Sequence, residues 1–553
     1  MTAFQSATFP QLLRAVTERH REHDALAGPQ GTWSYGELER RSARMARALL
    51  AQGAGKGTRI TVLAPLGPLW LTAFYAGLRI GALVTSASTV ATPRELAHIV
   101  RHSDAQLVVG VRRYMKHDYA AKLAEALEID PSAPRTLRLE SAPYLRSVWL
   151  DDADGIGWAG SAEELLSAAD GPDAPSDKLL EAVEREVSPA DDAVVIFTSG
   201  STALPKAVVH RQRSVAGKPG VVCELGGYAM EASDRVLSLM PPFWMGGLMA
   251  ALTVLARGAT LVHAESVAPA ATADVLVDQR VTRVVGAAPG DKRLAEALEA
   301  RGTSGLLTTV RGLAAPSSTG GAPARRYPAS TAQGSMGMTE TFGYHSVVRP
   351  DEPTPAERWG TVGQPVLGIE SRVVDLVTGQ DTGPGREGEL WLRGSTMMSG
   401  YYKVERGDTF TPDGYLRTKD RVVKDEDGCL YFFGRLSDML KSKGANVSRL
   451  EVEEALNRLP EVDLALVVGL PDEEYGQLVA AAVVPAPGAR PTAGGLQVAL
   501  RRELSGYKVP RRIVFITPED ITRTSTGKVK LADVAEMVRS RLDAAPASAE
   551  VPR

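Results

Sequence analysis

The chain has 553 residues, of which 44% are hydrophobic, and its 63 basic and 66 acidic side chains leave a formal net charge of -3. That length calls for at least two domains, and that composition suits an ordinary globular protein with a large buried core. So balanced a charge gives no global attraction to nucleic acid or to an anionic membrane.

The N-terminus, MTAFQSATFPQLLRAV, lacks the basic segment and apolar core of a secretory signal. Amphipathic helices are expected over FPQLLRAVTERH and SYGELERRSARMARALLAQG, the second opening on Ser34 and Glu37 in a capping-box pattern. Apolar runs then alternate with helical patterns: RITVLAP, a helix over Trp70–Ile80, ALVTSA, the ELAHIVRHS helix and AQLVVGV. Such alternation predicts a parallel sheet with helices on its faces. The most apolar stretch, Leu69 to Ala82, is broken by Arg79 and is too short to span a membrane. Asp151 to Ser188, rich in Asp, Ala, Gly and Pro, reads as a surface insertion, and the αβ rhythm resumes from Val194 to about Gly343.

After Pro350 the texture turns to short strands and turns (ESRVVDL, GELWLRG, RVVKDEDGCLYFFG), and from about Leu436 to a compact α+β pattern. The expected fold class is α/β: a large N-terminal domain of αβ layers (1–435) with a β-rich subdomain from about 350, then a small, mobile α+β C-terminal domain (436–543). The tail from 544 to 553 is expected to be disordered. Cys223 and Cys429 lie far apart with no metal-binding spacing and read as free thiols of a reducing compartment, the cytoplasm.

Three motif matches fail on context. Gly383-x-Gly385-x-x-Gly388 precedes a period-two strand, not the helix a dinucleotide fingerprint needs. Ser525-x-x-Lys528 has no SDN or KTG companion. Asp425 to Gly428 (DEDG) lacks the spaced ligands of a calcium loop and reads as a hairpin tip.

One stretch concentrates chemistry. IFTSGSTALPKAVVH follows an apolar strand with Thr198, Ser199, Gly200, Ser201 and Thr202, then Lys206. Hydroxyl and amide donors around a glycine, with a cation beside them, suit phosphate oxygens, although a solvated turn is the commoner use of such residues. Three later stretches change the weighting: GSMGMTET with Thr339 and Glu340, DGYLRTKD leading into GRLSDMLKSKG, and TSTGKVK near the C-terminus.

Taken together, in order and over essentially the whole chain, these motifs resemble those of the acyl-adenylate-forming superfamily, most closely its bacterial acyl-CoA synthetases. The resemblance implies that residues 198–202 and Lys206 grip the ATP β- and γ-phosphates, that Thr339 touches phosphate, and that Glu340 holds Mg²⁺. It implies Met336 and Gly337 beside the adenine, Asp420 on the ribose hydroxyls with Arg435 in support, and Lys528 between the substrate carboxylate and the α-phosphate. Lys441 and Gly444 would enter the site for a second step, Gly444 leaving room for a pantetheine arm. Trp244, Gly246, Gly247, Met336 and Phe342 would line an acyl pocket, with plain core as the alternative for Met336 and Phe342. The substrate's organic part is expected to be apolar, with no buried cation to meet a second charge.

Ala203 and Ala207 stand where the family usually has glycines, Lys419 where Thr-Gly-Asp is usual, Ser437 at the hinge, Met336 for an aromatic and Trp244 for a histidine. The implied activity is an ATP- and Mg²⁺-dependent ligation of a carboxylic acid to coenzyme A through an acyl-AMP. Alternatives within the superfamily are a carrier-protein, hydroxyl or amine acceptor, or an unusual oxyanion such as nitrite activated for diazotisation. An inactive ATP-binding protein is the alternative from another class; retained Lys206, Glu340, Asp420, Arg435 and Lys528 speak against it.

Overall fold

In the computed structural model, the alternating runs of the first half form two largely parallel sheets with helices between them. The structure describes residues 8–198, 205–225, 228–286, 292–313, 326–327, 334–349, 355–442, 445–472, 475–504, 506, 508–523 and 528–544. The larger sheet has eight strands, in the order Gly400–Tyr401, Lys206–Arg211, Asp192–Thr198, Leu83–Ser86, Arg59–Leu63, Leu107–Gly110, Ser147–Leu150 and Gly160–Ser161. From Asp192–Thr198 onward every neighbour is parallel. Strands covered on both faces read as continuous apolar runs, and Leu83–Ser86 and Leu107–Gly110 are buried throughout.

The second sheet sets Arg283–Val285, Arg235–Ser238, Thr260–Val262 and Asp24–Gly28 in parallel, with Gly31–Ser34 antiparallel at its edge. Helix Pro68–Arg79 packs on the first sheet and helix Met245–Arg257 on the second. Both are apolar almost all round, as helices enclosed between layers must be. Their side chains belong to one core that includes Trp70, Phe74, Leu248 and Leu252. Ser34 does cap its helix, accepting from the Glu37 amide, but the Glu37 carboxylate turns to Arg41 (2.6 Å) instead of closing the box.

Asp151 to Ser188 is not a surface insertion. Gly160–Ser161 extends the large sheet, Trp158, Ala159 and Leu165 are buried, and helix Asp177–Arg185 packs on helix Tyr35–Ala51. The reason is electrostatic as well as apolar: Glu184 meets the buried Arg79 at 2.5 Å, both side chains being 6% exposed. A polar composition concealed the carboxylate that neutralises Arg79.

The β-rich part holds a three-stranded sheet (Ser335–Met338, Gly343–Val347, Gln364–Pro365) and a four-stranded antiparallel one (Ile369–Val374, Glu387–Gly394, Leu416–Lys424, Leu430–Arg435). Gly385 has φ +75° in the turn before Glu387–Gly394, and Asp425 organises the DEDG tip by accepting from the Asp427 and Cys429 amides. Beyond Asp438 the strands Ala445–Ser448, Met439–Ser442, Gly476–Pro485, Val462–Asp472 and Arg512–Phe515 form one sheet. Helices Arg449–Asn457 and Ala493–Leu500 cover one face over Val452, Leu456 and Leu496, while helix Leu531–Ala544 covers the other with Val534 and Val538. This unit has its own cores, as a separate domain requires. Among the described residues no helix is long and apolar enough to cross a membrane.

Candidate active site

The edge of the large sheet positions the site. Strands Asp192–Thr198 and Lys206–Arg211 are antiparallel, with Thr198 opposite Lys206 in the register. Ser199, Gly200, Ser201, Thr202 and Ala203, between them, lie outside the described residues. The flanks of the connection are anchored: the Phe197 ring meets His98 edge-on at 5.8 Å, and His98 Nε2 is 3.1 Å from the Pro205 carbonyl. Ala207 lies in the strand opposite Phe197, so this departure from glycine needs no left-handed backbone.

Strand Gly400–Tyr401 pairs with Val208 and Val209, which brings Tyr401 beside Lys206. The Lys206 ammonium sits 5.1 Å from the centre of the Tyr401 ring, and the Tyr401 hydroxyl donates to Glu340 Oε1 at 2.7 Å. Burial, then the Glu340 charge, raises the Tyr401 phenol, so it stays a donor. Glu340 stands in the short 3-10 turn Thr339–Thr341. That turn is pinned from two sides: the Met398 amide donates to the Glu340 carbonyl (2.8 Å), and His210 Nε2 lies 2.7 Å from the Thr339 carbonyl. Burial lowers His210 to about 3, so the imidazole is neutral and carries its proton on the nitrogen facing that carbonyl.

Phe342, at φ +52°, ends the turn. Its side chain is fully buried and its ring lies 4.7 Å from His210, so it is core rather than pocket wall. Met336 is half-buried against the β-rich core. Gly337 lies so close to the return strand that a Cβ would stand 2.7 Å from the Gly343 carbonyl.

Asp420 pairs with Arg435 across antiparallel strands, Arg435 Nε donating to Oδ1 at 3.0 Å. Its side chain is 1% exposed while that of Arg435 is 54% exposed. Burial pushes the carboxyl up to about 6, with Glu340's charge adding and Arg435 opposing. Asp420 Oδ2 is buried with no hydrogen-bond partner among the described residues. A buried carboxylate oxygen in that condition fits a group with hydroxyls to donate, as a ribose has. Lys419 takes up φ +62°, where the family's glycine would be at ease, and its amide donates to Glu389 Oε1.

Past Arg435 the chain is held by charge. The Arg435 amide donates to Asp438, Asp438 pairs with Arg449 at 3.0 Å, and Arg449 pairs with Glu453 at 2.6 Å. Lys441 lies on strand Met439–Ser442, with its side chain and that of Ser437 outside those described; Gly444 also lies outside the described residues. Lys528 is exposed, directly after residues 524–527, which are not described. The structure thus brings Lys206, Tyr401, Glu340, Asp420 and Arg435 together.

On the acyl side, half-buried Trp244 is the residue before helix Met245–Arg257. Tyr228 donates to the Gly246 carbonyl at 2.9 Å. A Cβ on Gly246 would lie 2.5 Å from Met240 Sδ, and one on Gly247 would lie 2.1 Å from the Pro241 carbonyl oxygen. Gly247 is therefore required by a close backbone approach.

Sequence reasoning missed Tyr401, His210, His345 and Lys218. Of these, the Lys218 side chain is wholly buried in helix Gln212–Val222. Among the described residues its ammonium makes one hydrogen bond, donating to Thr396 Oγ1 at 3.4 Å, and burial lowers it to about 7. The available signal was a lone lysine in an otherwise apolar SVAGKPGVV.

The family model "AMP-binding enzyme" matches residues 13–402, and "AMP-binding enzyme C-terminal domain" matches 451–528. The acyl-CoA ligase sidI of Beauveria bassiana is 28% identical over 96% of this chain and 92% of its own. The sulfoacetate–CoA ligase of Cupriavidus necator is 28% identical over 90% of this chain and 91% of its own. Among solved structures, the amide bond synthetase McbA of Marinactinospora thermotolerans superposes with a TM-score of 0.73 at 26% identity, covering 96% and 99% of the two chains. With both models matched in order, this chain belongs to the AMP-binding enzyme family.

Proposed function

We infer that the protein is an AMP-forming carboxylate–CoA ligase, using ATP, Mg²⁺ and coenzyme A. The observation that carries the reading is the pairing of a partnerless Asp420 oxygen with the Lys206–Tyr401–Glu340 chain. One is suited to a ribose and the other to a metal-bound polyphosphate, within one charge-coupled site. The relatives' CoA-ligase activity supports thiol transfer as the second step.

A carboxylate is a poor electrophile because its leaving group would be oxide. Attack by its oxygen on the α-phosphorus of ATP breaks the bond to pyrophosphate and forms an acyl-AMP, whose leaving group is AMP. The thiolate of CoA then attacks the acyl carbon and AMP departs. Two anions must meet in the first step, so the work is positioning and charge neutralisation. Bound Mg²⁺ would supply charge neutralisation on the phosphates, with Glu340 its one carboxylate ligand here, as suits a metal held largely by substrate oxygens and water. Among the described residues no cluster of three or more metal-binding side chains offers an alternative. Tyr401 orients Glu340; Lys206, with the loop before it, holds the β- and γ-phosphates; Asp420 and Arg435 seat the ribose; Met336 and Gly337 flank the adenine. Lys528 serves adenylation. Lys441 and Gly444 serve thioester formation after the C-terminal domain has turned about the segment following Arg435. The two cysteines, both free and buried, suit the cytoplasm.

The test is acid-dependent ATP–pyrophosphate exchange over a panel of acids, followed by thioester assay with CoA and, in parallel, with an amine or a carrier-bound pantetheine. Exchange together with CoA thioester is the expected result. No exchange with any acid would remove adenylation, and an acyl-AMP consumed only by the amine would remove the CoA assignment.

A further inference from the structure

Lys218 is buried near the site, and the chemistry above does not use it. It projects from helix Gln212–Val222, which packs against helix Met245–Arg257, the helix that follows Trp244. Its hydrogen-bond acceptor, Thr396, is two residues before Met398, whose amide holds the Glu340 carbonyl. His210 and His345 are within reach of its charge, both fully buried and both lowered to about 3 by desolvation, with Lys218 contributing. Among the described residues, His345 has no hydrogen-bond partner on either ring nitrogen, and Nδ1 of His210 has none. Among the described residues no carboxylate acts on Lys218; desolvation alone moves it.

A buried ammonium with one long neutral hydrogen bond, beside two neutral imidazoles with unused nitrogens, is an expensive arrangement for the protein alone. It becomes favourable when an anion enters: the ammonium supplies charge, and His345, with neither ring nitrogen engaged among the described residues, can turn its nitrogen–hydrogen bond toward an oxygen. We propose that Lys218, with His345 beside it, receives a second oxyanionic group of the substrate, so that the acid taken by this enzyme carries one carboxylate for adenylation and another acidic group held at Lys218. The proposal rests on the ligase reading and narrows its substrate class to acids with two anionic groups, in place of the apolar acid expected from sequence. A carboxylate and a sulfonate share the required chemistry.

The experiment compares straight-chain and aromatic monocarboxylates with the matching dicarboxylates and sulfo-acids in pyrophosphate exchange, using the wild type, Lys218→Met and Lys218→Arg. The wild type is expected to favour the two-anion member of at least one pair by on the order of 10² in kcat/KM, the Met variant to lose that ratio, and the Arg variant to recover part of it. Binding of that acid at pH 8 should also take up about one proton per site, read by calorimetry in buffers of different ionisation enthalpy, because the anion recharges Lys218. The ligand-free Met variant should unfold at a higher temperature than the wild type, since the cost of burying the amine, by desolvating its charge or by giving up its proton, has gone; a lysine kept for structure would give a lower one. A wild-type ratio near unity across the panel, a ratio that survives in Lys218→Met, or a lowered unfolding temperature overturns the assignment. So does full activity with free nitrite and no bound two-anion acid. Exchange by monocarboxylates alone sinks the Lys218 proposal and leaves the ligase standing; absence of exchange with every acid sinks the ligase, while calorimetry still decides Lys218.

Discussion

Tyr401→Phe isolates a single bond. The hydroxyl that reaches Glu340 Oε1 at 2.7 Å is lost, while the ring that Lys206 approaches at 5.1 Å remains. A hydrogen bond to a charged group contributes about 1.5–3 kcal/mol, a factor of roughly 10–150 in an equilibrium or rate constant. Because the acceptor is the carboxylate assigned to Mg²⁺, the loss should fall on the first half-reaction. The apparent Mg²⁺ requirement for pyrophosphate exchange should rise by about tenfold or more, and the exchange rate at fixed Mg²⁺ should drop within that range. Thioester formation from preformed acyl-AMP and CoA involves no pyrophosphate and should change by less than about twofold. The phenol is held up by burial and by Glu340, so the wild-type advantage should persist across pH 7–9 without a break from Tyr401. Exchange measured against Mg²⁺ concentration, beside single-turnover thioester formation, provides the assay. An unaltered Mg²⁺ dependence, or equal loss in both halves, would refute the chain from Lys206 through Tyr401 to Glu340.

Asp420, at about 6, must be ionised to accept from a ribose, so KM for ATP should climb as pH falls below about 6 and stay flat above. The folded protein holds that proton more tightly than the unfolded chain, so the group's contribution to stability falls as pH rises between about 4 and 6; Asp420→Asn should abolish this slope in denaturation curves and weaken ATP. Gly247→Ala would drive a Cβ to 2.1 Å from the Pro241 carbonyl and should cost about 1–3 kcal/mol or more in unfolding free energy. Glu184→Ala would leave Arg79 with Glu39 alone and should cost about 3 kcal/mol by urea unfolding, with exchange kinetics preserved in the folded fraction. Lys528→Ala should slow adenylation by on the order of 10²–10³ yet still convert supplied acyl-AMP and CoA to thioester, whereas Lys441→Ala should do the reverse; equal damage to both steps by either would count against a turning C-terminal domain.

The layered architecture was legible because enclosed parallel strands such as LVVG leave unbroken apolar runs, and the helices between them repeat at 3.6 residues. Asp420 and Arg435 were legible only through motif order, since an acid and a base at a domain junction most often make a surface pair; their pairing in register across two strands is a three-dimensional fact. Tyr401 was not legible. It lies in a two-residue strand inside a turn-rich stretch, and its partners Lys206 and Glu340 are 195 and 61 residues away in sequence. Lys218 misled because helical periodicity reports which face is apolar, not whether a lysine on that face has a counter-ion. Phe342 looked like pocket lining for a similar reason: apolar identity does not tell wall from core.

That short strand has a consequence for how the chain is made. Lys206–Arg211 is otherwise an edge strand, with Ala207, Val208 and Val209 all buried, and Gly400–Tyr401 is what covers it. During synthesis nearly two hundred further residues must emerge before the cover arrives, so the nascent sheet carries an open, apolar pairing edge through that interval. Fragments that stop between residues 212 and 399 should therefore form intermolecular sheet and sediment, whereas a fragment ending just beyond Asp438 should stay dispersed even without the C-terminal domain.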